Sequence, residues 1–252
     1  MKNLWIKPFK PVPAARCRLI CFPYAGGGAL IFRLWHEYLP SYVEVCPVKL
    51  PGRDNRIREP LFDDISLLVR TMEKGLTPFL DKPFAFFGHS LGAIIAFELM
   101  KRLRKRNMPL PFHLFVAGRR APQIKPEPPI HKLPDEQFIE GLRNYGGTPE
   151  AVFQEQQLMD IFLPILRADL CLNDSYTYVP EYPFDCPITA FYGANDKIAG
   201  KNYVEAWKKQ ANSHFILYRI EGSHFFINEQ TEQILKIISA DMERTLKNKK
   251  GS

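Results

Sequence analysis

The pentapeptide Gly88-His89-Ser90-Leu91-Gly92 stands between two apolar stretches of different length and character. Before it, Pro83-Phe84-Ala85-Phe86-Phe87 is a short apolar run of the kind that forms a buried strand. After it, residues 92–100 are long and Ala/Leu-rich enough for a helix that is apolar on most sides. A strand that passes straight into a helix through G-x-S-x-G makes a sharp turn with the serine at its apex. A side chain two residues either side of Ser90 would collide with the neighbouring strand or helix, which accounts for Gly88 and Gly92. The turn strains the serine backbone and holds its hydroxyl out at the carboxyl edge of a sheet. The helix N-terminus beside it favours developing negative charge. The plainer alternative is a Gly-rich turn in an α/β protein with no chemistry attached; the flanking strand and helix weigh against it.

At 252 residues the chain suits one large α/β domain, and a single domain over 1–252 is expected. A hydrophobic content of 46% with 24% charged residues provides a sizeable core. The five cysteines, Cys17, Cys21, Cys46, Cys171 and Cys186, match no zinc or C-x-x-C spacing and mostly lie in apolar runs, so they are expected to be reduced core residues. Prolines at 8, 11 and 13 interrupt any signal-peptide core, and no apolar run approaches about 18 residues, so neither secretion nor a membrane span is expected and the protein is placed in the cytoplasm. The net charge of +7 would suit an acidic or phosphate-bearing partner. The densest basic run, Lys101-Arg102-Leu103-Arg104-Lys105-Arg106, closes the helix after Ser90 and lies on the order of 20 Å from the serine, where cations complement the helix dipole. No motif supports nucleic-acid binding. The lysine-rich tail from Lys247 to Ser252 is expected to fray.

Along the chain, a proline-rich lead-in precedes a strand over 16–23 that runs into Tyr24-Ala25-Gly26-Gly27-Gly28. A helix over 30–39, a strand over 43–49 and an amphipathic helix over 65–77 follow. Past the elbow comes a strand over 112–117, after which prolines between 122 and 134 interrupt the βα rhythm. Helices are expected over 135–145, from Thr148 as N-cap with Pro149 at the first position, and over 157–173 with a kink at Pro164. Residues 128–180 therefore form a helical insertion. The rhythm resumes with a strand over 187–192, a helix over 199–210, a strand over 214–220 and a closing helix over 229–246. The fold class is α/β: a doubly wound, mostly parallel sheet with helices on both faces and one helical insertion.

A serine hydroxyl needs a base, and the base needs an orienting acid. On a turn of this kind the chain order is Ser, then Asp or Glu, then His, each past the end of a strand. Asp196, in Gly193-Ala194-Asn195-Asp196-Lys197, and His224, in Gly222-Ser223-His224-Phe225-Phe226, meet that requirement. Asp169, in the insertion, is the rival acid. The first βα loop should supply part of an oxyanion hole through the Ala25 N–H, with the Leu91 N–H as second donor. A phosphate loop at the same glycines would need a G-K-[ST] ending that is missing.

The segments Phe22-Pro23-Tyr24-Ala25-Gly26-Gly27-Gly28, Leu50-Pro51-Gly52-Arg53, Gly88-His89-Ser90-Leu91-Gly92, Gly118-Arg119-Arg120-Ala121-Pro122, Leu166-Arg167-Ala168-Asp169 and Gly222-Ser223-His224-Phe225-Phe226 occur in the order found in type II (external) thioesterases. The chain resembles that family from about residue 16 to 240. Two positions depart: Leu91 stands where methionine is frequent, and Ser223 where Asp or Gly is common. The resemblance implies a stand-alone α/β-hydrolase with a mobile helical lid. It implies removal of stalled acyl groups from phosphopantetheinyl carrier proteins of polyketide and non-ribosomal peptide synthesis, with Ser90, Asp196 and His224 as triad. No metal or organic cofactor is called for, and a monomer is expected. The alternatives are a carboxylesterase or acyltransferase, or a medium-chain fatty acyl thioesterase, on the same triad, and a non-catalytic adaptor that binds carrier domains. A carrier protein would meet Arg119 and Arg120 or the loop bearing Arg53, Arg56 and Arg58.

Overall fold

The computed structural model describes residues 4–125 and 127–248; the first three residues, Pro126 and the tail from Lys249 lie outside the described residues. Six strands form one sheet: β1 (Cys17–Phe22), β2 (Val43–Pro47), β3 (Phe84–His89), β4 (Leu114–Ala117), β5 (Ile188–Gly193) and β6 (Phe215–Ile220). Their order is β2-β1-β3-β4-β5-β6, and every pairing is parallel. Parallel strands need crossovers and bury both faces, which explains why β1 and β3 are apolar at almost every position.

Alternation along the strands assigns the two faces. Ile20, Phe22, Phe84 and Phe86 point into a core shared with α1 (Ile65–Leu76) and α2 (Leu91–Lys105). Leu19, Cys21, Ala85 and Phe87 point the other way, into a core closed by Ile234, Leu235, Ile238 and Met242 of the C-terminal helix. Helix α1 starts at Asp64, whose carboxylate accepts the Leu67 N–H at 2.6 Å, an N-cap that satisfies one of the orphan donors of the first turn. At the far end of the sheet, buried His113 bridges Thr189 (2.9 Å) and Thr245 (3.0 Å), and Thr189 donates to Asp241. Burial pushes the His113 pKa down to about 3, so the ring is a neutral rivet between the sheet and the C-terminal helix.

Between β4 and β5 the chain leaves the sheet for the helical insertion: α3 (Asp135–Tyr145), α4 (Glu150–Gln154) and α5 (Gln156–Asp174). Phe138, Leu142, Leu166 and Leu170 give it a small core of its own. Pro164 sits inside α5 without ending it. After β5 come α6 (Lys201–Glu205), then α7 (Phe226–Glu229) and α8 (Thr231–Asn248) beyond β6.

Several local expectations need correcting. The helix expected over 30–39 is two 3-10 turns, Ala29–Phe32 and Trp35–Glu37. A 3-10 turn eclipses residues three apart; here buried Phe32 and Trp35 meet edge-on at 4.8 Å, and Trp35 meets Phe87 at the same separation. The helix expected over 199–210 tightens into a 3-10 turn at Ala206–Gln210. Pro149, not Thr148, occupies the N-cap of α4, in extended conformation and with no side-chain cap. The closing helix breaks at Gln230, and α8 keeps Lys247 and Asn248 helical, so the described part of the expected tail is not frayed.

Phe87→Ala should cost about 3–5 kcal/mol of stability in urea unfolding, since it opens a cavity against two rings. Tyr182→Ala, at a side chain that is 90% exposed, should change stability by less than about 0.5 kcal/mol.

Candidate active site

In this sheet β1 turns to β2 on one side while its other neighbour is β3, so the loops after β1 and β3 diverge and leave a crevice at the carboxyl edge. Both glycine-bearing motifs open there. Ser90 has φ +51°, the left-handed region, with its N–H donated to Ala117 O at 2.8 Å. A Cβ on Gly88 would lie 2.4 Å from the Gly92 carbonyl group, and one on Gly92 would lie 2.2 Å from Phe22 O. The helix can approach β1 this closely only without those side chains.

Asp196 and His224 arrive on the loops after β5 and β6. Main-chain bonds tie the loops together: Ala194 N–H to Ile220 O at 2.7 Å and Asn195 N–H to Gly222 O at 2.9 Å. The result is a continuous relay. His224 Nδ1 lies 2.8 Å from Asp196 Oδ2, and His224 Nε2 lies 3.1 Å from Ser90 Oγ. Asp196 Oδ1 accepts the Ile198 and Ala199 N–H groups at 2.8 and 2.9 Å. Burial alone would raise the Asp196 pKa, but the His224 bond and these two N–H donors outweigh it and hold the carboxyl below its ordinary value. An ionised Asp196 fixes the proton on Nδ1 and leaves the Nε2 lone pair facing the serine. Ser223 is exposed, so its departure from the family pattern leaves the relay untouched.

The buried imidazole of His89 packs edge-on against His224, Tyr24 and Phe226, with centroids 5.3–5.6 Å away. Burial first, and then the neighbouring His224, push its pKa well below the ordinary value, so it forms an uncharged wall behind the base.

Ala25 lines the cavity over Ser90, and Leu91, next to Ser90, is the first residue of α2. Among the described residues neither N–H is engaged by another protein group. Asp169 does something other than orient His224. Its two oxygens grip Arg53 at 2.6 and 2.8 Å, and Oδ2 also accepts the Gly26 N–H at 2.7 Å, while Arg53 donates to Gly27 O at 3.1 Å. This buried clamp joins α5 of the insertion to the loop that carries Ala25. The sequence held a hint: Asp169 is a lone acid between Ala168 and Leu170 on the apolar face of a helix. Its partner was not legible, because Arg53 is 116 positions away.

The cavity over Ser90, about 240 Å³, is walled by Tyr24 and Phe225 on one side and by Leu142, Met159, Phe162 and Leu166 of the insertion on the other. The arginines considered as a docking surface are mostly turned inward. Arg53 belongs to the clamp; Arg56 pairs with Glu59 and stacks on Trp5; Arg120 pairs with Glu127; Arg119 lines the cavity. Only Arg58 of the five is exposed, because the others find acceptors or rings inside the fold. Among the described residues no helix is long and apolar enough to cross a membrane, and no cluster of three or more His, Cys, Asp or Glu could hold a metal ion.

Breaking the clamp is expected to act first on stability. Asp169→Ala leaves a buried guanidinium uncompensated and should cost about 3–5 kcal/mol in urea unfolding. The double variant Asp169→Leu, Arg53→Met should recover much of that loss, because it removes both charges.

The thioesterase domain family matches residues 17–242. The gramicidin S biosynthesis protein GrsT of Aneurinibacillus migulanus is 42% identical over 97% of this chain and 96% of its own. The RedJ thioesterase of the prodiginine biosynthetic pathway in Streptomyces coelicolor superposes with a TM-score of 0.86 at 39% identity, over 91% of this chain and 92% of its own. The type II thioesterase BorB from the borrelidin biosynthetic cluster gives 0.83 at 31% identity, over 95% of this chain and 97% of its own. A matching domain across nine-tenths of the sequence, with close superposition on type II relatives over the same span, settles the kinship: the chain belongs to the thioesterase family, among its type II members.

Proposed function

We propose that this protein hydrolyses acyl thioesters carried on the phosphopantetheine arm of acyl or peptidyl carrier proteins, clearing stalled groups from polyketide or non-ribosomal peptide synthesis, through an acyl-Ser90 intermediate. The observation that carries the reading is the relay itself, with His224 Nε2 3.1 Å from Ser90 Oγ beneath an apolar cavity. Type II relatives from biosynthetic clusters of both kinds support the choice of substrate.

In this scheme Ser90 Oγ attacks the thioester carbonyl and its proton passes to His224 Nε2, leaving an imidazolium that Asp196 stabilises. The Ala25 and Leu91 N–H groups hold the carbonyl oxygen as it gains charge, and the start of α2 adds its dipole. The C–S bond breaks and the leaving sulfur takes the proton from Nε2. A thiol of pKa about 8.5 leaves far more readily than an alcohol, which favours thioesters over oxygen esters at this site. Water then gives a proton to Nε2 and attacks the acyl-enzyme; the acid departs, and Ser90 recovers its proton. The insertion, residues 128–180, acts as the lid over one catalytic domain.

The direct test is mass spectrometry of a panel of acylated carrier proteins before and after exposure to the enzyme. The wild type should return the free phosphopantetheinyl carrier, and Ser90→Ala should leave the acyl carrier intact, a loss of about 10⁴–10⁶ in kcat. Turnover by Ser90→Ala at the wild-type rate, or wild-type preference for simple oxygen esters, would reject the assignment. A pH prediction accompanies it. The lowered Asp196 carboxyl contributes stability above the ordinary carboxylate range, and that contribution is lost as pH falls through its lowered folded value. Asp196→Asn should therefore lose stability at neutral pH and show a shallower acid limb below about pH 4.

A further inference from the structure

Arg119 follows Gly118, the residue whose missing Cβ would sit 3.4 Å from His224 Cε1. Its carbonyl is fixed by the Trp207 indole N–H at 2.8 Å, and its side chain runs inward along the cavity wall to the last turn of α5. There Nη1 donates to Asn173 Oδ1. Nε is buried and has no hydrogen-bond partner among the described residues. No carboxylate lies within ion-pair distance of this guanidinium among those residues.

The neighbouring arginines show how unusual that is. Arg53 is held by Asp169, Arg120 by Glu127 and Ile198 O, and Arg167 by Asp135 and two carbonyls. Of the acids and phenols nearest Arg119, two are engaged elsewhere, and the Tyr145 phenol, which lines the same cavity, makes no hydrogen bond to it. Asp174 holds His131 at 2.9 Å and accepts the Ile130 N–H, and Tyr176 donates to Glu98. Burial, more than the charge of Arg120, lowers the Arg119 pKa to about 10, so the group remains cationic at neutral pH. A buried donor left unsatisfied costs its desolvation; Nε is closed off from the cavity, and Nη2, which bonds to no group among the described residues, is the donor that a ligand in the cavity can reach.

On the reading that this cavity takes acyl thioesters, we infer that Arg119 is a selectivity residue whose guanidinium donates to an oxygen of the bound substrate, in the acyl chain or in the outer part of the pantetheine arm, beyond the amide nearest the sulfur. Leu142, Met159, Phe162, Leu166 and Leu170 line much of the cavity; of the charged groups that share it, Arg120 pairs with Glu127 and Asp174 with His131, which leaves Arg119 as the polar group available to read a ligand beside the catalytic histidine. A site built to bond an oxygen discriminates strongly against the analogue that lacks it.

The test compares butyryl, 3-hydroxybutyryl and acetoacetyl thioesters, each on N-acetylcysteamine and on pantetheine, with wild type, Arg119→Met and Arg119→Lys. Ratios of kcat/KM within one preparation are read, because they do not depend on the folded fraction. If the oxygen is in the acyl chain, wild type prefers the oxygenated chains over butyryl by about tenfold or more on both thiols, and Arg119→Met brings that ratio towards one. If it is in the pantetheine arm, Arg119→Met lowers the pantetheine to N-acetylcysteamine ratio about tenfold whatever the acyl group. Both ratios unchanged in Arg119→Met would overturn the inference and leave Arg119 a brace between β4 and α5. Should that variant not fold, Arg119→Lys decides in the same way, since its ammonium lacks the guanidinium fork. Wild type inert towards every thioester would instead defeat the hydrolase reading, a result distinct from lost discrimination.

Discussion

The approach of the first turn of α2 to the end of β1 governs the rest of the molecule. Gly92 meets the Phe22 carbonyl at a distance no side chain could share, and Gly88 meets Gly92 in the same way. That contact fixes Ser90 in the left-handed region, at the one place in the sheet where neighbouring loops part. It also brings the start of α2 and the glycine loop after β1 to face each other. A nucleophile and two free N–H groups are thus a by-product of packing one helix tightly on one strand.

The second half of the site depends on main chain more than on side chains. The loops after β5 and β6 are laced by two backbone hydrogen bonds, and Gly193 lets Ser223 O approach to where its Cβ would be. Asp196 then accepts three hydrogen bonds, one from His224 and two from backbone N–H groups, which together overcome the burial penalty. The carboxylate can therefore stay charged in a place that would otherwise protonate it, and a charged carboxylate is what sets the tautomer of the base.

Much of this was legible in the sequence because the relevant signals are local. A strand, a G-x-S-x-G turn and a helix fall within eighteen residues of one another in a fixed order, and each of Asp196 and His224 follows an apolar run within a few positions. The alternation of Leu19, Ile20, Cys21 and Phe22 between two cores follows from strand period alone. What escaped was either tertiary or dependent on fine helix geometry. The 3-10 turns at Ala29–Phe32 and Trp35–Glu37 are set by Phe87, a residue far along the chain that draws Phe32 and Trp35 to one side. The inward turn of the arginines was hidden for the same reason: the partner of a cation in a loop, such as Asp169 for Arg53, lies far away along the chain and is beside it only in space.

That clamp also limits how the insertion can behave. Helix α5 is joined to the Ala25 loop through a buried bidentate ion pair and a bond to Gly26. Separating those charges without water to receive them costs several kcal/mol, so a movement that lifts α5 bodily would also distort the proposed oxyanion loop. The link between α3 and α4 is spanned by the exposed pair Arg143–Glu150, which water can receive when it parts. Gly146 and Gly147, between α3 and α4, both adopt positive φ, and Gly147 lies directly against the Phe225 ring beside His224. A bend there would leave Asp169 on Arg53 and shift the cover over Phe225. In this arrangement α5 is the wall of the cavity tied to the Ala25 loop, and the link between α3 and α4 is the part of its cover that meets Phe225.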